Sequence, residues 1–230
     1  MHHSHLSRFV SAVIASAALT AGAQAAQIYD KDGTTLDVTG RVQAVFHSGH
    51  WNSNGHSDGN LSDQVRFGFE GRTGLTDGIS AYGKWEVQYE HDGHSDENAD
   101  FSTREAYVGV DFDAFGKLQT GRMSSLVYHV TELTDIYEDT GCAGAGFFTD
   151  DTNLSGQIQY LWEGFGLEAG LAFQTAVDNY EINLGMGGFG WTDPEAEFTF
   201  DVDSGFAAYL GYTSPEVLFG PISVRLGYEY

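Results

Sequence analysis

The feature that most constrains this chain is a strict alternation of apolar and polar residues sustained over long runs. From Leu36, one parity reads Leu36, Val38, Gly40, Val42, Ala44 and Phe46, and the other reads Asp37, Thr39, Arg41, Gln43, Val45 and His47. A second run sets Val65, Phe67, Phe69 and Gly71 against Gln64, Arg66, Gly68, Glu70 and Arg72. A third sets Ile79, Ala81, Gly83, Trp85, Val87 and Tyr89 against Ser80, Tyr82, Lys84, Glu86, Gln88 and Glu90. Successive side chains of a strand point to opposite faces, so a period of two writes one apolar and one charged face onto a sheet. The 30 glycines, 12 tyrosines and 16 phenylalanines favour strands and tight turns. An all-helical bundle is excluded.

Alternation alone does not say which face is buried, and a soluble sandwich would bury the apolar one. Three traits tilt the reading the other way. The polar face carries several charges per strand, the runs reach about ten residues, and Phe46, Trp85 and Tyr89 are placed near strand ends. An all-β fold follows, a transmembrane antiparallel β-barrel with apolar residues outward and a polar lumen. Further strands are expected over residues 104–112, 117–122, 153–162, 166–175, 206–213 and 222–230, nine or ten in all. Residues 176–199 read as one irregular strand flanked by loops. Connections 73–78 and 113–116 are short, whereas 48–62, 91–102 and 124–152 are long and polar, the asymmetry of a barrel with turns at one rim and loops at the other.

Residues 1–25 read as an export signal: Arg8, an apolar run over 9–20, then Ala-Gly-Ala-Gln-Ala before the expected cleavage site. No later stretch reaches the ~18 consecutive apolar residues of a spanning helix, so the remainder is either soluble or crosses a membrane only as a closed barrel. Lys+Arg 10 against Asp+Glu 33 gives a formal charge of −23, which repels a phosphate backbone, so nucleic acid is excluded as a partner. Cys142 is the single cysteine, and no internal disulfide or structural zinc site is possible on cysteine pairs.

Particular segments carry a family resemblance. Ala26-Gln27-Ile28-Tyr29-Asp30-Lys31-Asp32-Gly33 with Leu36-Asp37-Val38-Thr39-Gly40-Arg41, then Val65-Arg66-Phe67-Gly68-Phe69-Glu70-Gly71, then Tyr82-Gly83-Lys84-Trp85-Glu86 stand in sequence. Arg104-Glu105-Ala106-Tyr107-Val108-Gly109 and Phe115-Gly116-Lys117-Leu118-Gln119-Thr120-Gly121-Arg122 follow. Over about residues 26–175 the chain resembles the trimeric general diffusion porins of Gram-negative outer membranes. The resemblance implies a 16-stranded barrel whose third external loop, here about 124–152, folds into the lumen as a constriction. It implies a basic wall of Arg41, Arg66 and Arg104, with Arg122 matching the arginine that ends the fifth strand, facing acidic Asp135, Glu138 and Asp139 on the loop. It also implies outer-membrane lipid and lipopolysaccharide as surroundings, the barrel assembly machinery as a partner, and a homotrimer. By parity alone, Arg41 and Arg66 point to the lumen. Tyr160, Leu161 and Trp162 stand where the family has a further arginine.

With 25 of the 230 residues assigned to the signal, 205 remain, too few for sixteen strands of about ten residues plus loops. Residues 26–230 are therefore read as a porin barrel domain that is either a fragment, the favoured reading, or a reduced barrel. Ile222, Val224, Leu226, Tyr228 and Tyr230 nevertheless alternate up to a final aromatic, resembling the signal read by the assembly machinery. The expected function is passive diffusion of small hydrophilic solutes and ions through a water-filled channel. Between Met123 and Tyr230 the only basic residue is Arg225, against 17 acidic residues, so cations are expected to be preferred.

A reading from another class is a secreted or surface β-barrel or sandwich that binds a ligand without conducting. Gly55-His56-Ser57-Asp58 and Gly93-His94-Ser95-Asp96 repeat in the first two long loops, so His56, Asp58, His94 and Asp96 are weak candidates for a divalent metal. Solvated polar loops are the simpler account, and no cofactor is expected. Nor is an enzyme: there is no Gly-x-Ser-x-Gly elbow, and His129 near Ser124 and Ser125 is only a set of residue types.

Overall fold

The computed structural model describes residues 17–47, 60–92, 99–133, 153–183, 197–217 and 220–230. Among the described residues there are twelve strands: β1 (Ala17–Lys31), β2 (Thr34–His47), β3 (Asn60–Thr76), β4 (Ile79–Asp92), β5 (Ala99–Asp111), β6 (Lys117–Ser124), β7 (Asn153–Gly164), β8 (Leu167–Gln174), β9 (Val177–Asn183), β10 (Glu197–Val202), β11 (Gly205–Thr213) and β12 (Ser223–Glu229). A one-turn helix, α1 (Tyr128–Thr131), follows β6. Ten strands form one antiparallel sheet in the order β1 to β8, then β11 and β12. Every strand lies beside its neighbour in sequence apart from the β9–β10 insertion, so the sheet is a meander closed by hairpins. No helix among the described residues is long and apolar enough to cross a membrane.

The first turn shows how local chemistry sets this topology. Asp32 and Gly33 both have positive φ, 53° and 74°, as a two-residue type I′ hairpin requires, and Asp-Gly is among the pairs that adopt it readily. β1 itself begins at Ala17, within the expected export signal, and pairs with β2 along its length.

Strands run further than the apolar alternation predicts. β3 has 17 residues, about 56 Å of chain at 3.3 Å per residue, more than an apolar band ~25 Å tall needs even at 45° tilt. Its first residues, Asn60 to Gln64, are polar at all but Leu61. They prolong the ladder to meet β2 and β4. The expectation for 176–199 is corrected: two strands form instead of one. Gln174 faces Gly205 and Val177 faces Val202, so the β9–β10 ladder starts in the register of the β8–β11 pair beyond Thr175, Ala176, Asp203 and Ser204, then shifts by one residue between Val202 and Phe200. Neither parity of Val177-Asp178-Asn179-Tyr180-Glu181-Ile182-Asn183 is purely apolar, which is why periodicity does not reveal it.

The distribution of burial is the inverse of a soluble sandwich. Leu226, Leu171 and Val108 are 66%, 62% and 62% exposed, while Gln157 and Gln159 are 3% and 1% exposed. The apolar parity thus faces outward and the polar parity inward. Trp85, expected near a strand end, sits midway along β4 and stacks on Phe69, with centroids 6.3 Å apart. The aromatic rim lies at the short turns. There the Tyr160 hydroxyl donates to the Phe115 carbonyl at 2.5 Å and the Trp162 indole N–H to the Ala114 carbonyl at 3.1 Å. Each ring keeps an apolar body outward and satisfies its polar end on the turn backbone.

Candidate functional site: the polar face and the loop root

Strand register arranges the inner face of β2 to β5 into rows. Asp37, Glu70, Lys84 and Tyr107 form one; Thr39, Gly68, Glu86 and Glu105 the next; Arg41, Arg66, Gln88 and Ser102 the third. Arg41 and Arg66 are direct cross-strand partners, an arrangement that costs repulsion unless acceptors surround it. Arg41 Nη2 donates to Gln43 Oε1. Arg66 Nε donates to Gln88 Oε1 at 2.9 Å, and Arg104 Nη1 reaches the same oxygen at 3.4 Å. Gln88 is therefore the shared acceptor of two arginines, and Glu86 Oε1 lies 3.2 Å from Arg104 Nε. One row along, Lys84 pairs with Glu105.

Arg104 reaches this row through a β-bulge. Glu86 faces Glu105 but Val87 faces Thr103, so Arg104 is the extra residue of β5. In the regular alternation of Glu105, Tyr107, Gly109 and Asp111, Arg104 would fall on the apolar side with Ala106 and Val108. A bulge lets two successive residues, Arg104 and Glu105, serve the same face. Gly68 is required beside it: a Cβ there would lie 2.5 Å from the Trp85 carbonyl oxygen and 3.0 Å from Thr39 Oγ1. The absent side chain lets β3 and β4 close up next to the arginines.

Arg122 is not brought into this group. It faces Ala106 across β5 and β6, and Ala106 faces Trp85, so its Cβ is on the apolar side. Its guanidinium donates to the Thr103 carbonyl at 2.8 Å and to Ser155 Oγ at 3.3 Å. Asp135, Glu138, Asp139, Cys142, His56, Asp58, His94 and Asp96 lie outside the described residues. Among the described residues, no group of three or more His, Cys, Asp or Glu side chains could hold a metal ion.

The root of the β6–β7 loop is described as far as Leu133, and it lies on the inner face. Buried glutamines tie it down: Gln157 Nε2 donates to the Met123 carbonyl and Gln159 Nε2 to the Ser124 carbonyl, each at 2.8 Å. Gln159 Oε1 accepts from Gln119 at 3.0 Å, and its amide also donates to Gln157 Oε1 at 2.9 Å. A buried polar group is tolerated when its donors and acceptors are used, and these amides use theirs to hold the chain where it leaves β6. Leu126, 1% exposed, then packs with Ala207, Tyr209, Val127, Val130, Leu161 and Ala172. Two wall glycines make the space. At Gly170 a Cβ would lie 2.6 Å from Leu126 Cδ1, and at Gly227 one would lie 2.9 Å from Val130 Cγ2.

A charge cluster closes this contact. Arg225 Nη1 bonds Glu132 Oε1 and donates to the His129 carbonyl at 2.8 Å, while its Nη2 lies 3.6 Å from Glu168 Oε2. The Tyr209 hydroxyl donates to the same Glu168 oxygen at 2.5 Å, and the His129 ring lies 5.2 Å from the Tyr209 ring. His129 thus packs in the loop root. Ser125 Oγ accepts from the Tyr128 amide at 3.3 Å and Ser124 Oγ is 3.2 Å from Asn153 Oδ1, so both serines serve local structure. Beside the root a 330 Å³ cavity opens, lined by Glu70, Arg72, Tyr82, Lys117, Gln119 and His129 among others. Sequence reasoning placed Glu86 and Gln88 on the polar parity of their strand but singled out none of Glu86, Gln88, Glu132, Glu168 and Arg225 as site residues. A lone arginine on the polar parity of the last strand was the available signal for Arg225.

A sequence profile described as Gram-negative porin matches residues 31–180. Outer membrane porin PhoE of Escherichia coli K12 is 31% identical over 226 residues, covering 94% of this chain and 60% of that protein. Outer membrane protein F of Serratia marcescens is 34% identical over 224 residues, covering 91% of this chain and 57% of that protein. Among solved structures, Salmonella typhi OmpF in complex with daunomycin superposes with a TM-score of 0.62 at 19% identity, over 89% of this chain and 56% of the other. The chain spans about three fifths of the length of these curated relatives.

Proposed function

Because the chain belongs to the Gram-negative porin family, a family of outer-membrane proteins without enzymatic activity, we propose that it forms the wall of a water-filled passage for small hydrophilic solutes and ions. The observation that carries this is the inverted burial: leucines such as Leu171 and Leu226 stand exposed while Gln157 and Gln159 are enclosed. An outward apolar surface is satisfied by hydrocarbon and an inward polar one by water, which together lower the barrier for a hydrated solute across a ~30 Å apolar layer. The basic row of Arg41, Arg66 and Arg104 supplies one side of a transverse field. The acidic loop segment containing Asp135, Glu138 and Asp139 supplies the other in this reading. Charges opposed across a constriction orient dipolar solutes, and the overall sign sets which ion enters.

Cation preference is part of the proposal. The basic side chains of the inner face concentrate on β2 to β6, while β7 to β12 carry Glu163, Glu168, Asp178, Glu181, Glu197, Asp201 and Glu229 against Arg225 alone. With 33 carboxylates in the chain against 10 lysines and arginines, the mean potential felt by an entering ion is negative. Homotrimeric assembly, lipopolysaccharide contact, processing at Ala25 and insertion by the barrel assembly machinery complete the reading. The test is a salt-gradient measurement of reversal potential on the full chain in a planar bilayer, with heat-modifiable gel mobility of the membrane fraction as the folding control. A potential signed for cations supports the proposal; one signed for anions overturns the preference, and absence of conductance from a heat-modifiable protein overturns the channel.

A further inference from the structure

We propose that Arg225 is a positioning residue that clamps the root of the β6–β7 loop to the inner wall and so keeps open the passage beside the basic row; this rests on the channel reading above. Three observations converge on it. Arg225 is the only basic residue after Arg122, and its side chain, 16% exposed, is enclosed against the loop. Its guanidinium spans both parts of the contact: Glu132 and the His129 carbonyl on the loop, Glu168 on β8. The His129 carbonyl belongs to the single turn of α1, whose terminal carbonyls have no partner within the helix, and an arginine is well suited to cap them.

The neighbouring groups make the clamp directional. Glu168 is held by the Tyr209 hydroxyl, so the wall end of the bridge is fixed before the loop docks. The apolar contact of Leu126 with Gly170, and of Val130 with Gly227, places Glu132 over Arg225. Without the arginine, Glu132 and Glu168 face one another across the seam with His129 as the nearest other titratable side chain from the loop. Like charges at such range repel. The loop root then lifts from β8 and β12 into the lumen, the direction in which the opening narrows. A charge-assisted hydrogen bond contributes about a tenfold bias to such a two-position equilibrium.

Site-directed spin labelling on the full refolded chain tests the clamp without requiring conduction. With Cys142→Ser as background, Leu133→Cys is labelled with a nitroxide and compared with the same background carrying Arg225→Gln, Glu132→Gln or Arg225→Lys. The clamp predicts an immobile label in the background, a mobile fraction raised about tenfold in Arg225→Gln and in Glu132→Gln, and a label nearest the background in Arg225→Lys, which keeps a cation between the two carboxylates. In bilayers, the two neutralising variants are expected to close at lower voltage with noisier open current, and Arg225→Lys to stay near the background. Equal label mobility in all four folded proteins overturns the clamp even if every one conducts. Conductance missing from the background protein while the labels behave as predicted overturns the channel reading and leaves the clamp standing. If Arg225→Gln does not fold, Glu132→Gln leaves the wall intact and decides alone.

Discussion

The two halves of the inner face use arginine in opposite ways. On β2 to β5, Arg41, Arg66 and Arg104 crowd together around Gln43, Gln88 and Glu86. On β8 to β12, Arg225 meets two carboxylates and a backbone carbonyl at the edge of an apolar seal. The same side chain therefore presents a field in one place and fastens a segment in the other. The surroundings differ: Arg41 and Arg66 lie side by side across a strand pair and bond to Gln43 and Gln88, whereas Arg225 sits between two carboxylates beside an apolar contact.

The sharpest way to break this contrast is Leu126→Ala. It empties the seal of its most buried member and is expected to weaken loop docking by about 2–4 kcal/mol. Limited proteolysis within 134–152 should accelerate while the heat-modifiable barrel persists. Gly68→Ala acts on the other half with a smaller cost, about 1–3 kcal/mol, because its methyl meets the Trp85 carbonyl across a paired strand that must move away. Its expected signature is a lower urea midpoint of the refolded protein, with loop proteolysis unaltered.

Field effects come next. Arg66→Gln removes one charge from the row and is expected to raise cation over anion permeability by up to about sevenfold, since a unit charge at roughly 7 Å in water contributes ~0.6 kcal/mol of opposite sign to each ion. Reversal potentials in a salt gradient give the ratio directly, and the effect should shrink as salt is raised. Arg122→Ala should do least. Its Cβ lies on the apolar side, so ion selectivity is expected to stay within measurement error and stability to change by about 0.5 kcal/mol or less. A selectivity change equal to that of Arg66→Gln would show that Arg122 belongs to the same wall after all.

Much of the site was legible because side-chain direction in a strand is a local property. Leu36 to His47 assign Arg41 to the polar face with no knowledge of neighbours, and Arg66 follows from Val65 to Arg72. Even Arg122 was readable: Lys117, Gln119, Gly121 and Met123 share one parity, and Arg122 belongs to the other with Leu118 and Thr120. Family resemblance grouped it with the wall, and the backbone pattern did not. Arg104 is the converse. Alternation around Glu105 to Asp111 points it outward, and only an unpaired extra residue in the β4–β5 ladder turns it inward.

By itself, then, the sequence determined the faces, the hairpin order and the sign of the charge, all of which depend on residues within one strand or one turn of each other. The tertiary structure alone decided which faces meet across distance. Arg225 and Glu132 are 93 residues apart, and their encounter depends on Gly170 and Gly227 leaving the space for Leu126 and Val130. Such contacts obey no period, because a charge pair forms where packing brings two side chains together, and packing sums over strands that no local pattern connects.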